Sequence, residues 1–249
     1  MSSSKENCLE NVILRFDFKD NVTTFDDMIG DVTEKISSEF KYELTERMDL
    51  KLNLESSQLS AENRKIKVHT FKNNSGLTIT IESGFLSFNT QNYSGYDEFM
   101  KTIKRIISLL EISDVELKRV GLRYINHIRL TEGNPLEWNG YIVPELTQSI
   151  NFLNGSEVKY LSRNMGHMFF KKSDYSLAFL YGWSNSEFPN PIAKKEFVLD
   201  YDCFTENKFK QSDALEYIDK FHEEIKKMFV KSIGNELKKK IGEDQLCIK

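Results

Sequence analysis

The sequence predicts an α+β protein built from duplicated strand-helix-strands-helix units, with mainly antiparallel sheets, long helices packed on one face and a pseudo-twofold relation between the halves. Three observations lead there. The strand-forming run Val12-Ile13-Leu14-Arg15-Phe16 recurs 108 positions later as Val120-Gly121-Leu122-Arg123-Tyr124. A helical stripe of Tyr96, Phe99, Ile103, Ile106 and Leu110 after Ser94 recurs as Leu215, Ile218, Phe221, Ile225 and Phe229 after Ser212. The strands between come in consecutive runs joined by short turns such as Lys172-Ser173-Asp174, which suits antiparallel pairing.

In chain order, a strand is expected over 11–18, ending in the turn signal Lys19-Asp20-Asn21. Thr24 stands three before Asp27 as a capping-box variant, and Phe25, Ile29, Val32, Ile36 and Phe40 then recur at helical spacing. Met48, Leu50, Leu52 and Leu54 alternate with polar residues, the pattern of a half-buried strand. Short strands follow around Ile66 and Val68, from Leu77 to Ile81 and from Phe85 to Asn89, before a helix capped by Ser94. The second half begins with the strand at 120–126. An irregular, partly helical stretch from Pro135 to Leu153 follows, then strands near 158–170, 175–183 and 195–204 and one closing helix of about 212–240. The expectation is a single domain over 1–249 of two pseudo-repeats, about 11–112 and 116–240, because neither half could bury its own apolar stripes.

Composition narrows the function classes. The chain has 249 residues, 39% hydrophobic and 12% aromatic, with 34 Lys+Arg against 38 Asp+Glu for a net charge of −4. That balance gives no whole-protein attraction for nucleic acid or an anionic membrane, and neither is an expected partner. The start of the chain lacks a signal-peptide apolar run, so a cytoplasmic location is expected. Cys8, Cys203 and Cys247 form no CxxC pair. His69, His127, His167 and His222 show no metal-ligand spacing, and phosphate-loop, dinucleotide and nucleophile-elbow signatures do not occur. No cofactor and no metal site is expected, and the chain reads as leaning away from an enzyme.

Alternation along 119–130 puts Arg119, Arg123, His127 and Arg129 on one strand face, opposite Val120, Leu122, Tyr124, Ile128 and Leu130. Such cations could clamp a phosphate or carboxylate. In 195–204, Glu196, Asp200 and Asp202 also share a face, and Arg123 pairing with Asp200 or Asp202 would make a structural network instead. The same two aspartates could hold Mg²⁺ for phosphoryl transfer. A third feature is the aromatic strand face Tyr175, Leu177, Phe179, Tyr181 and Trp183, mostly core by its pattern, which runs into a loop containing Phe188, Pro189 and Pro191. Trp183, Phe188, Pro189 and Pro191 are the expected partner interface.

The octapeptide Arg119-Val120-Gly121-Leu122-Arg123-Tyr124-Ile125-Asn126 resembles the central motif of a sporadically distributed, uncharacterised prokaryotic protein family of about this length. Leu199-Asp200-Tyr201-Asp202 and the long C-terminal helix from Phe221-His222-Glu223 to Ser232-Ile233 are similar to that family's C-terminal pattern; its proline-containing lead-in is missing. The resemblance implies mobile cassettes and hence a phage-defence or toxin-antitoxin setting, and it supplies no catalytic residues. The functional expectation is a non-enzymatic interaction or regulatory protein that binds another protein of the same cassette, with a homo-oligomer allowed. Two alternatives stand beside it: a small anionic-ligand sensor binding between the halves, and a metal-dependent phosphoryl-transfer enzyme at Asp200 and Asp202.

Overall fold

Val12, Leu14, Phe16 and Phe18 alternate along the first strand and are buried on one side, and that side fixes the layout of the chain. The computed structural model describes residues 8–19, 25–55, 58–112, 115–206, 209–210 and 213–242. The first half gives β1 (Leu9–Phe18), α1 (Phe25–Ile36), β2 (Phe40–Glu55), β3 (Gln58–Asn73), β4 (Leu77–Glu82), β5 (Phe85–Thr90) and α2 (Tyr96–Leu109). The second gives β6 (Glu116–Leu130), two 3-10 turns (Pro144–Leu146, Gln148–Phe152), α3 (Gly155–Val158), β7 (Asn164–Lys171), β8 (Ser176–Trp183), β9 (Lys195–Thr205), β10 (Phe209–Lys210), α4 (Ala214–Ser232) and α5 (Asn235–Ile241).

One continuous antiparallel sheet runs β2-β3-β4-β5-β1-β6-β9-β8-β7, with the two-residue β10 pairing β6 beyond the end of β9. At its middle β1 pairs β6, with Val12 opposite Tyr124, Leu14 opposite Leu122 and Phe16 opposite Val120. Helices α2 and α4 lie against the apolar side of this pair. Ile103, Ile106 and Phe99 of α2 and Ile218, Phe221, Ile225 and Phe229 of α4 supply the stripe. Each large aliphatic or aromatic side chain so buried contributes about 1.5–3 kcal/mol.

A buried polar chain ties those helices to the sheet. The Tyr124 hydroxyl lies 2.9 Å from both the Tyr93 hydroxyl and His222 Nδ1, and Tyr96 stacks on His222 at 3.9 Å between ring centroids. Tyr201 donates to Ser232 Oγ at 2.9 Å. Each of these groups would cost energy if buried without a partner, so the network specifies how the helices seat.

The architecture corrects the predicted fold class. The protein is mostly sheet, a single antiparallel sheet with a few helices, and not a helix-rich α+β arrangement with long helices on one face. The physical reason lies in two places. The hairpin β2/β3 is far longer than the period-two segments suggested, 16 residues in each strand paired from Phe40↔Asn73 to Glu55↔Gln58. The closing helix is broken: Ile233 is extended and bridges Ile142, and a Cβ on Gly234 would lie 2.2 Å from the Gly140 carbonyl oxygen, so the backbones meet where a continuous helix would collide.

Smaller corrections follow the same logic. Phe40 opens β2 instead of closing α1, and Met48 is 62% exposed on β2 where half-burial was expected. The N-cap of α2 is Gly95, without a side-chain cap from Ser94. The caps expected at Thr24 and Ser212 lie outside the described residues.

Candidate functional site

On the sheet side opposite the core, alternation lines up the charged residues of β1, β6 and β9. Arg123 sits opposite Asp202 in the register yet reaches diagonally to Asp200, donating from Nε at 2.8 Å and from the terminal nitrogen at 2.6 Å. Asp200 is buried, and these bonds in turn raise the Arg123 pKa. Arg119 donates to Asp202 at 3.3 Å, lies 3.7 Å from Asp17 and covers the Phe204 ring at 4.7 Å. Arg15 forks onto Asp17 at 2.9 and 2.7 Å and stacks over Phe85. Burial pushes the Asp202 carboxyl up, against the pull of Arg119 and Arg123.

These pairings account for the cations and carboxylates that the sequence singled out. An arginine held by two carboxylate oxygens has its planar fork occupied, so Arg123 offers no open clamp to an anion. Asp200 and Asp202 are likewise engaged by guanidinium groups. Among the described residues, no group of three or more His, Cys, Asp or Glu side chains is placed to hold a metal ion.

His127 and Arg129 sit apart, toward the end of β6, with Glu10. Arg129 donates to Glu10 at 2.7 Å and also to His127 Nδ1; Glu10 Oε2 lies 3.5 Å from the same nitrogen. Ser184 Oγ lies 3.2 Å from His127 Nε2. A serine, a histidine and a carboxylate stand in line, but Arg129 and Glu10 meet at the same Nδ1, one as a donor and the other as an acceptor. Arg129 also holds the Glu10 carboxylate, so the carboxylate does not serve the histidine alone as it would in a nucleophilic triad. Burial first, and Arg129 second, hold the His127 pKa below its usual value. The cluster is a hydrogen-bonded corner of the sheet.

Trp183 is corrected from surface anchor to core. It is 1% exposed and packs edge-on to Phe197 at 5.2 Å, because it shares the inward face with Leu177 and Phe179. The loop after it is outside: Phe188 is 52% exposed, and Pro189 and Pro191 are exposed. Asn185 pins that loop by donating to the Ser162 and Asn190 carbonyls at 2.8 and 2.7 Å. Arg163, just before β7, lies over the Phe188 ring at 4.2 Å.

The aromatic surface continues into β7, which the sequence reading had not singled out. Phe169 is 55% exposed and Phe170 38%, with Tyr160 at 70% and Phe152 at 91% in the segments leading to the strand. A signal was present: Met168-Phe169-Phe170 is apolar at consecutive positions, and consecutive strand residues face opposite ways, so one must be exposed unless both faces are covered. β7 ends the sheet order, and among the described residues no strand pairs with its outer side.

Elsewhere, a cleft of about 220 Å³ between the turn at 73–77 and the start of α2 is lined by Asn73, Thr90, Asn92, Tyr93, Glu98 and Phe99. It is smaller than the roughly 300 Å³ at which ligand pockets usually begin. No described helix is long and apolar enough to cross a membrane. No protein-family model matches the chain, and no curated protein matches it at a significant level.

Proposed function

We propose that the protein is a non-enzymatic interaction protein whose contact surface is the aromatic rim formed by the loop at 184–194, the residues leading into β7 and β7 itself. The observation that supports this most is the exposure of Phe169 and Phe170 on a terminal strand, with Tyr160 and Phe188 exposed toward the other end of that strand. Large aromatics supply most of the energy in protein interfaces, and aromatic side chains left in water are a cost that a bound partner removes. The occupied state of Arg123, Asp200 and Asp202 weighs against the ligand-sensor and phosphoryl-transfer alternatives. A cassette of phage-defence or toxin-antitoxin type as the setting, with the partner encoded beside this chain, rests on the motif resemblance alone.

The test is capture of partners on the tagged full-length protein from its host, with a Phe169→Ser/Phe170→Ser variant in parallel. A protein retained in stoichiometric amount by the wild type and lost from the variant, with thermal unfolding of the two alike, is the expected result. Equal retention by both overturns the assignment of this surface.

A further inference from the structure

The sheet has two terminal strands, and they are built differently. On β2 the described side chains carry charges of both signs, Lys41, Glu43, Glu46, Arg47 and Asp49, with Glu43 and Glu46 bridged to Lys72 and Lys65 of β3. Mixed charge on an outer strand discourages another strand from adding to it. β7 has no such protection: Asn164-Met165-Gly166-His167-Met168-Phe169-Phe170-Lys171 contains no acid and no proline. Its outer side therefore presents a row of backbone N–H and C=O groups between exposed phenylalanines on both faces.

Along β7 and its immediate flanks the charge has one sign. From Lys159 to Lys172 the chain carries Lys159, Arg163, Lys171 and Lys172 and no Asp or Glu, although the whole protein is at −4. Lys159, Arg163, Lys171 and Lys172 are all exposed, and Glu224 neutralises only Lys172. A second copy of this chain is a poor occupant. Antiparallel pairing of β7 on itself over its full length would bring Arg163 of each copy beside Lys171 and Lys172 of the other, and like charges across a ladder destabilise it.

We propose that β7 accepts an extended segment of a partner protein as an added strand, and that this segment carries Asp or Glu residues around an alternating apolar core. The proposal rests on the interaction reading above and specifies its chemistry. Main-chain hydrogen bonds to the outer side of β7 supply the affinity. Contacts beside Phe169 on one face and Phe170 on the other, with acids against Arg163 and Lys171, supply the selection.

Fluorescence anisotropy on the full-length protein tests it with four probes: a ten-residue peptide alternating Glu and Val, its Lys-Val counterpart, the Glu-Val peptide N-methylated at every residue, and an oligothymidylate. The expected result is binding of the Glu-Val peptide about tenfold or more tighter than the other three, weakening as salt rises, with preference shifted toward the Lys-Val peptide in Arg163→Glu/Lys171→Glu. Equal binding of the Lys-Val peptide, indifference to N-methylation, tighter binding of the oligonucleotide, or a concentration-dependent dimer that excludes the peptide would each overturn it. Absence of peptide binding, alongside a host partner lost in Phe169→Ser/Phe170→Ser, overturns strand addition and leaves the interaction reading standing. Absence of any such partner overturns the interaction reading instead.

Discussion

Leu14 stands directly opposite Leu122 at the centre of the β1/β6 pair, and the two occupy the same place in the sequence match offset by 108 positions. Val12 and Val120, or Arg15 and Arg123, are likewise equivalent by sequence, and the register sets each at the same distance from the Leu14/Leu122 pair in opposite directions. From this pair the sheet extends through β5, β4, β3 and β2 on one side and through β9, β8 and β7 on the other. Both leucines are fully buried. Leu122→Ala is expected to cost about 2–5 kcal/mol, and Leu14→Ala similarly, by cavity formation at the seam. Because the side chains are cross-strand neighbours, the double variant should depart from additivity by about 0.5 kcal/mol or more, measured by urea unfolding of the four proteins.

Arg123 and Asp200 give a prediction about stability and another about ligands. Removing the guanidinium in Arg123→Ala leaves a buried carboxylate without its two donors, and a loss of about 1–3 kcal/mol is expected. Arg123→Lys should recover only part, since an ammonium cannot make both parallel bonds. Replacing both partners by apolar residues, Arg123→Met with Asp200→Leu, should restore most of the stability. Phosphate added in the millimolar range should leave the wild-type unfolding temperature unchanged, because the fork it would need is filled. A clear rise with phosphate, lost in Arg123→Ala, would return the anion-sensor reading.

His222 makes stability depend on pH. Burial beneath Tyr96 holds its pKa below the usual 6.5. As pH falls through about 6.5 the unfolded imidazole takes up a proton and the folded one resists, so the unfolded state binds more protons. Stability therefore falls from that point down to the folded value and is unaffected by this group above it. His127, lowered mainly by burial, acts in the same direction. Urea midpoints compared at about pH 7 and about pH 5.5 should show a drop in the wild type that shrinks in His222→Gln and shrinks further with His127→Gln added. An undiminished drop would assign the effect to carboxylates.

Much of the sheet was legible because a period of two is a local signal. Alternation along 119–130 placed Arg119 and Arg123 opposite the core side before any pairing was known, and alternation along 195–204 placed Asp200 and Asp202 to meet them. What could not be read is set by contacts distant in sequence. The break between α4 and α5 depends on Gly140 meeting Gly234, and nothing near Gly234 announces a neighbour 94 positions away. Trp183 shows the opposite failure: its alternation with Phe179 marked it as core, but its place beside a proline loop gave weight to exposure. Phe169 and Phe170 are adjacent apolar residues on opposite faces, which signals that one is exposed unless both faces are covered; that both are exposed depends on what packs over β7, which local pattern does not encode.

Gly182 links the fold to the proposed surface. Its φ of +138° lies where side-chain-bearing residues are strained, and a Cβ there would come within 2.1 Å of the Asn164 carbonyl oxygen at the start of β7. Gly182 also faces Met165 across the β7/β8 ladder, so any residue larger than glycine must push β7 away from the sheet at that end. Gly182→Ala should cost about 1–3 kcal/mol, and faster hydrogen exchange should spread from Asn164 along β7 while the β1/β6 amides keep their protection. Peptide or partner binding at the outer side of β7 should weaken in the same variant, because a strand can be added only to an edge that is itself held in register. Gly234→Ala offers the control: it collides with Gly140 near the helical end of the fold, so comparable destabilisation with binding at β7 intact would show that the loss in Gly182→Ala is local to the edge.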